Sequence, residues 1–316
     1  FETWDFGDSM GNPKEDGMLE YEYARSTLKN GIRLEDKLGA NPYKYGMVGS
    51  TDSHVSLSTT REENYFGKLP NEEPSAKRTS LPFLKDKKTG DVIVTTWQLG
   101  AAGLAAVWAR ENTREAIFDA LTRKEVYATT GNRMTVRVFG GWDFQPDEVL
   151  RPDFAAQGYN RGVPMGGDLK SAPAGVAPSF MIRAIRDPDG ANLDRVQIIK
   201  GWLDSDGKTR ERIYDVAVSD GREIGADGRC KTPVGSTVDV DDASYTNSIG
   251  DALLMTHWTD PDFDPKQRAF YYVRVIEIPT PRWPAYDAKR FGITMPEEVT
   301  MTIQERAYSS PIWYTP

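Results

Sequence analysis

The chain has 316 residues, enough for one large or two ordinary domains, and its 39% hydrophobic and 27% charged residues suit a globular protein rather than a disordered one. A formal net charge of -8 argues against a nucleic-acid partner, which would need clustered Lys and Arg to displace counterions from phosphates. No run of about 18 apolar residues occurs, so neither a spanning helix nor a membrane partner is expected, and Cys230, the one cysteine, leaves no internal disulfide.

Apolar residues recur at helical spacing from Leu19 to Leu38, with Gly39 and Pro42 as stop signals, which predicts an amphipathic helix that Gly31 could bend. Residues 45–49 read as a short buried strand leading into a loop, and 68–90, rich in Lys, Glu, Pro and Ser, as surface loop. Asp91–Trp97 is β-branched and strand-like. Asn112 and Glu115 resemble a capping box opening a helix from Thr113 to about Lys124, followed by a strand at 126–130 and a turn at Gly131-Asn132. Beyond about residue 134 the pattern becomes strands between turns, at 134–139, 179–186, 195–202, 212–218, 253–258 and 270–278, with no long helix among them. Asp187-Pro188-Asp189-Gly190 and Asp204-Ser205-Asp206-Gly207 carry turn chemistry. This second half reads as an antiparallel β-rich domain.

The most informative chemistry follows the 45–49 segment, in Gly49-Ser50-Thr51-Asp52-Ser53-His54. Residues two apart on an extended segment project to one side, so Asp52 and His54 could offer a carboxylate oxygen and an imidazole nitrogen to a metal. Two side chains do not complete a metal site, and the bland alternative is an Asp-capped turn with a locally bonded His. Arg61, Asn64 and Lys68 follow closely, and Arg133 follows the 126–130 strand; they could clamp an anion, although Arg and Lys also cover surfaces. Asp168 after Gly166-Gly167 fits a ligand approach or a plain turn. His257 reads as a packed side chain. Asp260, Asp262 and Asp264 beside it lack the EF-hand pattern, since Pro265 stands where Gly is needed.

The stretches Gly49–His54, Arg61–Lys68, Arg114–Leu121, Val126–Gly131, Gly162–Asp168 and Arg306–Trp313 together resemble a bacterial family known as a domain of unknown function. That family is similar to the PHP (polymerase and histidinol phosphatase) metal-dependent phosphoesterases. The resemblance implies a distorted seven-stranded β/α barrel with divalent metal ions (Zn, Mn or Fe), two or three in the complete enzyme. Asp52 and His54 match the last metal motif of such a barrel. The early His-x-His motif and the ligands after it have no counterpart here, so only the C-terminal portion of the family pattern is matched. The partner implied is an N-terminal barrel segment of the same protein, in keeping with a start at Phe1 that reads as lacking an upstream segment.

The expected fold class is therefore α/β plus β: C-terminal segments of a PHP-type barrel over 1–134, then a β-rich domain over 135–316. The expected function is metal-dependent hydrolysis of a phosphoester by a metal-bound hydroxide. Asp52 and His54 would hold metal, and Arg61, Asn64 and Arg133 would bind an anionic small-molecule substrate. A periplasmic or secreted location is implied by the resemblance alone. The alternative is a non-catalytic β-rich binding or assembly module, whose Trp and Tyr residues face a partner.

Overall fold

The structure, a computed structural model, describes residues 11–100 and 103–316. The expected segment 1–134 thus includes residues 1–10, 101 and 102, which lie outside the described residues. In chain order the elements are α1 (Ala24–Leu38), β1 (Pro82–Lys85), β2 (Val92–Thr95), β3 (Leu104–Val107), α2 (Arg114–Thr122), β4 (Val126–Thr129) and β5 (Thr135–Gly141). There follow α3 (Phe154–Arg161), β6 (Gly162–Pro164), β7 (Asp168–Lys170), β8 (Ser179–Ile185), β9 (Leu193–Leu203), β10 (Thr209–Val218) and β11 (Leu253–Thr259). The chain closes with β12 (Ala269–Glu277), β13 (Thr280–Pro281), α4 (Trp283–Phe291), β14 (Thr302–Ile303), β15 (Arg306–Ser309) and β16 (Ile312–Thr315).

Two antiparallel sheets face each other. The larger runs β10-β9-β12-β15-β4-β3, with β16 beside β12 and β7 parallel to β16; the smaller runs β11-β8-β5-β6. Strand alternation makes the core. Tyr271, Val273 and Val275 of β12 point inward with Val196 and Ile198 of β9, and meet Val136 and Val138 of β5 and Phe180, Ile182 and Ala184 of β8 in one buried cluster. The other face of β12 and β9 buries Phe270, Tyr272 and Ile199 under Leu28 and Ile32 of α1. Those two helix residues are four apart and share a face. Gly201 is required there: a Cβ would lie 2.2 Å from the Phe270 ring. The outer face of the small sheet packs Phe139 and Met181 under Phe154 of α3.

The six strands expected in the second half are all present with shifted ends, because hydrophobic alternation there is regular. Both Asp/Gly turns form, with Gly190 N bonding Asp187 O at 2.9 Å and Gly207 N bonding Asp204 O at 3.0 Å. The helix expected at 19–38 starts at Ala24, since Tyr23 turns the chain at φ 63 after a separate 3-10 turn at Met18–Tyr21. Gly31 does not break it. A Cβ there would meet Asn41 Oδ1 at 2.4 Å, so the glycine admits a packed Asn41. The cap of α2 is Thr113, whose hydroxyl accepts from Ala116 N at 3.3 Å, one residue after the expected Asn112.

Several expectations are corrected. No closed barrel forms among the described residues. β3 and β4, expected as barrel segments, pair antiparallel (Leu104 opposite Thr129), whereas neighbouring strands of a β/α barrel run parallel. Through β15 they join the same sheet as the later strands, so backbone pairing runs across the expected boundary at 134. Residues 45–49 are not a strand. Part of 68–90 is ordered as β1, hairpinned to β2, and Arg78 within it is buried. The half expected to hold no long helix carries α3 and α4, of only eight and nine residues, in keeping with that expectation. Among the described residues no helix is long and apolar enough to cross a membrane.

Candidate functional site

Two glycines place the Asp52/His54 loop. A Cβ at Gly49 would lie 2.7 Å from Thr129 O and 2.8 Å from Leu104 O, and one at Gly46 would lie 3.0 Å from Val126 Cγ2 and Ser310 Oγ. Without side chains, residues 46–50 press flat onto β3 and β4 and run in the direction of β4. Met47 N donates to Ser310 Oγ at 2.9 Å and Gly103 N to Ser50 O at 2.7 Å, too few bonds to make this segment a strand. Asp52 and Thr130 therefore leave the sheet at the same end of β4.

Asp52 adopts φ 48, so the extended geometry assumed from sequence does not hold, yet the two side chains converge: His54 Nε2 lies 3.5 Å from Asp52 Oδ1. Both are exposed, with 63% and 59% of the His54 and Asp52 side chains open to solvent. The other carboxylate oxygen of Asp52 takes the ammonium of Lys68 at 2.5 Å, from a side chain only 4% exposed. Lys68 is itself tied to the loop, its carbonyl accepting His54 N at 2.8 Å and its amide donating to Glu72 at 2.9 Å. Among the described residues no group of three or more His, Cys, Asp or Glu side chains is arranged to hold a metal ion.

Beyond β4 and β15 lies a small cleft of about 80 Å³ whose lining includes Glu62, Glu63, Asp187, Asp189, Glu277 and Glu305, with Arg61 as its guanidinium. Burial, then the charge of Glu62, pushes the Glu305 carboxyl up to about 8, against a hydrogen bond from Thr130 Oγ1 that favours the ionised form. Burial and the neighbouring Glu305 raise Glu277 well above the usual carboxylate range, although Asn132 donates to it at 2.6 Å. Glu62 accepts from Trp283 N at 2.7 Å, fixing the 3-10 turn Glu62–Asn64 to the start of α4.

The substrate-binding candidates have different surroundings. Arg61 lines the cleft and is engaged with Glu63 at 3.3 Å and Asp189 at 3.4 Å. Asn64 is exposed at the end of its 3-10 turn. Arg133 is exposed just past β4, and its backbone N donates to Asp187 at 2.7 Å. Asp168 opens β7 and pairs with Lys44, after Gly166 turns the chain at φ 84. His257 bonds the Phe144 carbonyl at 2.9 Å. Asp260 takes Lys200 at 2.6 Å and Asp262 takes Arg212 at 2.6 Å, which makes that stretch a strand-ending turn with satisfied acids.

A family model described as "Protein of unknown function (DUF3604)" matches residues 1–316, the whole chain. The chain belongs to the DUF3604 family. No curated protein matches it. The match brings the DUF3604 member no link to the PHP enzymes. Reading residues in order missed Glu277, Glu305 and Asp187, which in this DUF3604 chain come together only through strand pairing. The one local signal was Thr129-Thr130-Gly131-Asn132, a turn at a strand end, where sites concentrate.

Proposed function

We propose that this DUF3604 chain forms part of a metal-dependent hydrolase acting on phosphoesters, with Asp52 and His54 as two of the ligands. The observation that carries the reading is their convergence at 3.5 Å on an exposed loop. Lys68, nearly buried, takes the remaining Asp52 oxygen as an orienting partner does in a metal site. A carboxylate oxygen and an imidazole nitrogen fit Zn, Mn or Fe, and the further ligands would come from an N-terminal segment with the PHP-type barrel pattern. When bound, such ions supply Lewis-acid activation of water and of a phosphoryl oxygen.

The chain's own residues have distinct parts in this reading. Lys68 holds Asp52 in position. Glu305 lies beyond the same end of β4 with its carboxyl raised to about 8, which suits it to the part of general acid in this reading. Arg133 and Asn64, both exposed, steady the anionic substrate, whereas Arg61 serves mainly to neutralise Glu63 and Asp189. A periplasmic or secreted location belongs to the same proposal and is checked by cell fractionation.

The test compares bound metal, by elemental mass spectrometry, and chelator-sensitive hydrolysis of p-nitrophenyl phosphate in the gene product and its His54→Ala and Asp52→Asn variants. Loss of at least one ion per chain together with loss of turnover is expected. Unchanged metal content in both variants refutes the assignment, and ligand binding without turnover favours the binding-module alternative. The chain alone is expected to hold divalent metal only weakly; a tight multi-metal site in it contradicts the need for a second segment.

A further inference from the structure

A second cleft, of about 560 Å³, opens on the outer face of the eight-stranded sheet, on the flank of segment 46–50 that carries Met47 and Val48. Its floor is built by alternation. Tyr272 and Arg274 of β12 point away from the sandwich core, and Tyr308 of β15 stands opposite Arg274. Ala128, Met47 and Val48 form an apolar wall, and Tyr23–Ser26, where α1 begins, form the opposite side. A volume of this size is within the range that takes a small organic ligand, roughly 300–1,000 Å³.

The charges in it do not balance. Arg25 donates to Tyr272 at 3.0 Å and to Glu211 at 3.1 Å, and Glu211 also takes Lys29 at 2.9 Å, so one carboxylate already serves two cations. Arg274 uses its Nε on Gln197 Oε1 at 2.8 Å, and Gln197 in turn donates to Asp215 at 2.6 Å. Asp215 lies one side chain away from Arg274 and is shared with Arg195 and Arg229, each at 3.4 Å. Among the described residues no carboxylate lies within ion-pair distance of Arg274, and burial lowers its pKa against the opposing influence of Tyr308 and Tyr272. The guanidinium is half-buried and held by its inner nitrogen, and among the described residues its two terminal nitrogens make no hydrogen bond, which leaves them available to an anion in the cleft. The start of α1 adds to this field, for its first turn holds no acidic residue and no capping side chain.

We propose that this cleft binds a small organic oxyanion, a carboxylate or phosphate monoester bearing an aromatic or apolar group, with the terminal nitrogens of Arg274 forking its oxygens. The planar fork suits either oxyanion. The hydroxyls of Tyr272 and Tyr308 border the charged end, and Ala128, Met47 and Val48 receive the apolar body. Asp52 and His54 take no part in the cleft, so the site stands independently of the metal reading.

The experiment is calorimetric titration of the protein with benzoate, phenyl phosphate and inorganic phosphate. Saturable binding of benzoate or phenyl phosphate is expected, with inorganic phosphate weaker because it leaves the apolar wall uncovered. Preference between the first two identifies the oxyanion. Arg274→Gln weakens binding at least tenfold, and so does Val48→Glu, which sets a carboxylate at the rim on a residue 57% exposed and thus tests the site even if Arg274→Gln does not fold. His54→Ala leaves the affinity for benzoate unchanged. Absence of saturable binding for all three probes up to about 10 mM overturns the proposal. So does binding that survives Val48→Glu and Arg274→Gln undiminished, or benzoate binding that disappears in His54→Ala.

Discussion

Replacing Asp287 with Ala should destabilise the protein by about 3–5 kcal/mol, the usual effect of stripping one partner from a buried ion pair. Its carboxylate and the Arg78 guanidinium are 1% and 2% exposed, so solvent gives little screening. One bond of the pair, Arg78 NH2 to Asp287 Oδ1, measures 2.9 Å, and Arg78 also donates to Tyr65 O at 2.8 Å and stands 4.5 Å over the Trp283 ring. Arg78→Ala loses those contacts as well, roughly 1 kcal/mol for the ring, and should be the worse of the two single changes. The double replacement Arg78→Met, Asp287→Leu removes both charges and should recover more than half of the loss. Urea unfolding followed by tryptophan fluorescence supplies the numbers. A loss under about 1 kcal/mol in Asp287→Ala, or a double variant no better than the worse single one, would refute the claim that this pair pins residues 61–80 to α4.

The other expectations concern the two site regions. Glu305 is raised from 4.5 to about 8 in the fold, so its contribution is fully present below about pH 4.5 and declines as pH climbs toward 8. Glu305→Gln should therefore gain on the parent across that window, by on the order of 2–4 kcal/mol in all; urea midpoints at pH 5 and pH 8 showing the same gap would contradict this. Gly49→Ala should cost about 1–3 kcal/mol, because the atoms it strikes are backbone and cannot swing aside, and a melting temperature equal to the parent's would show that segment 46–50 is not pressed onto the sheet. Lys68→Met should lower metal affinity of the complete protein about 10–100-fold if Lys68 orients Asp52, and an unchanged affinity would remove that role.

The strands of the second half were legible because their apolar residues alternate over seven to eleven positions. The barrel expectation came instead from the family resemblance. Its motifs say nothing of strand direction, and β3 and β4 turned out antiparallel. Segment 45–49 looked like a strand because it is apolar, but its glycines serve to press it against β3 and β4, a role that shows only in three dimensions. Asp52 and His54 could be paired from sequence as near neighbours. The acids Glu277 and Glu305 could not, since the 27 intervening positions are folded back by the β12–β15 pairing. Arg274 was hidden for a related reason: an arginine inside a hydrophobic strand reads as surface until its neighbours show that no carboxylate among the described residues pairs with it.

The hydroxyl of Ser310 accepts from Met47 N and donates to Val126 O at 2.6 Å, tying an early segment to a residue near the C-terminal end of this sequence. During synthesis, a ribosome would release the Asp52/His54 loop some 250 residues before its anchor emerges. The nascent loop would thus stay chemically idle until Ser310 emerges, and a message cut short before the Ser310 codon would yield a chain with the motif intact but no anchor to set its geometry.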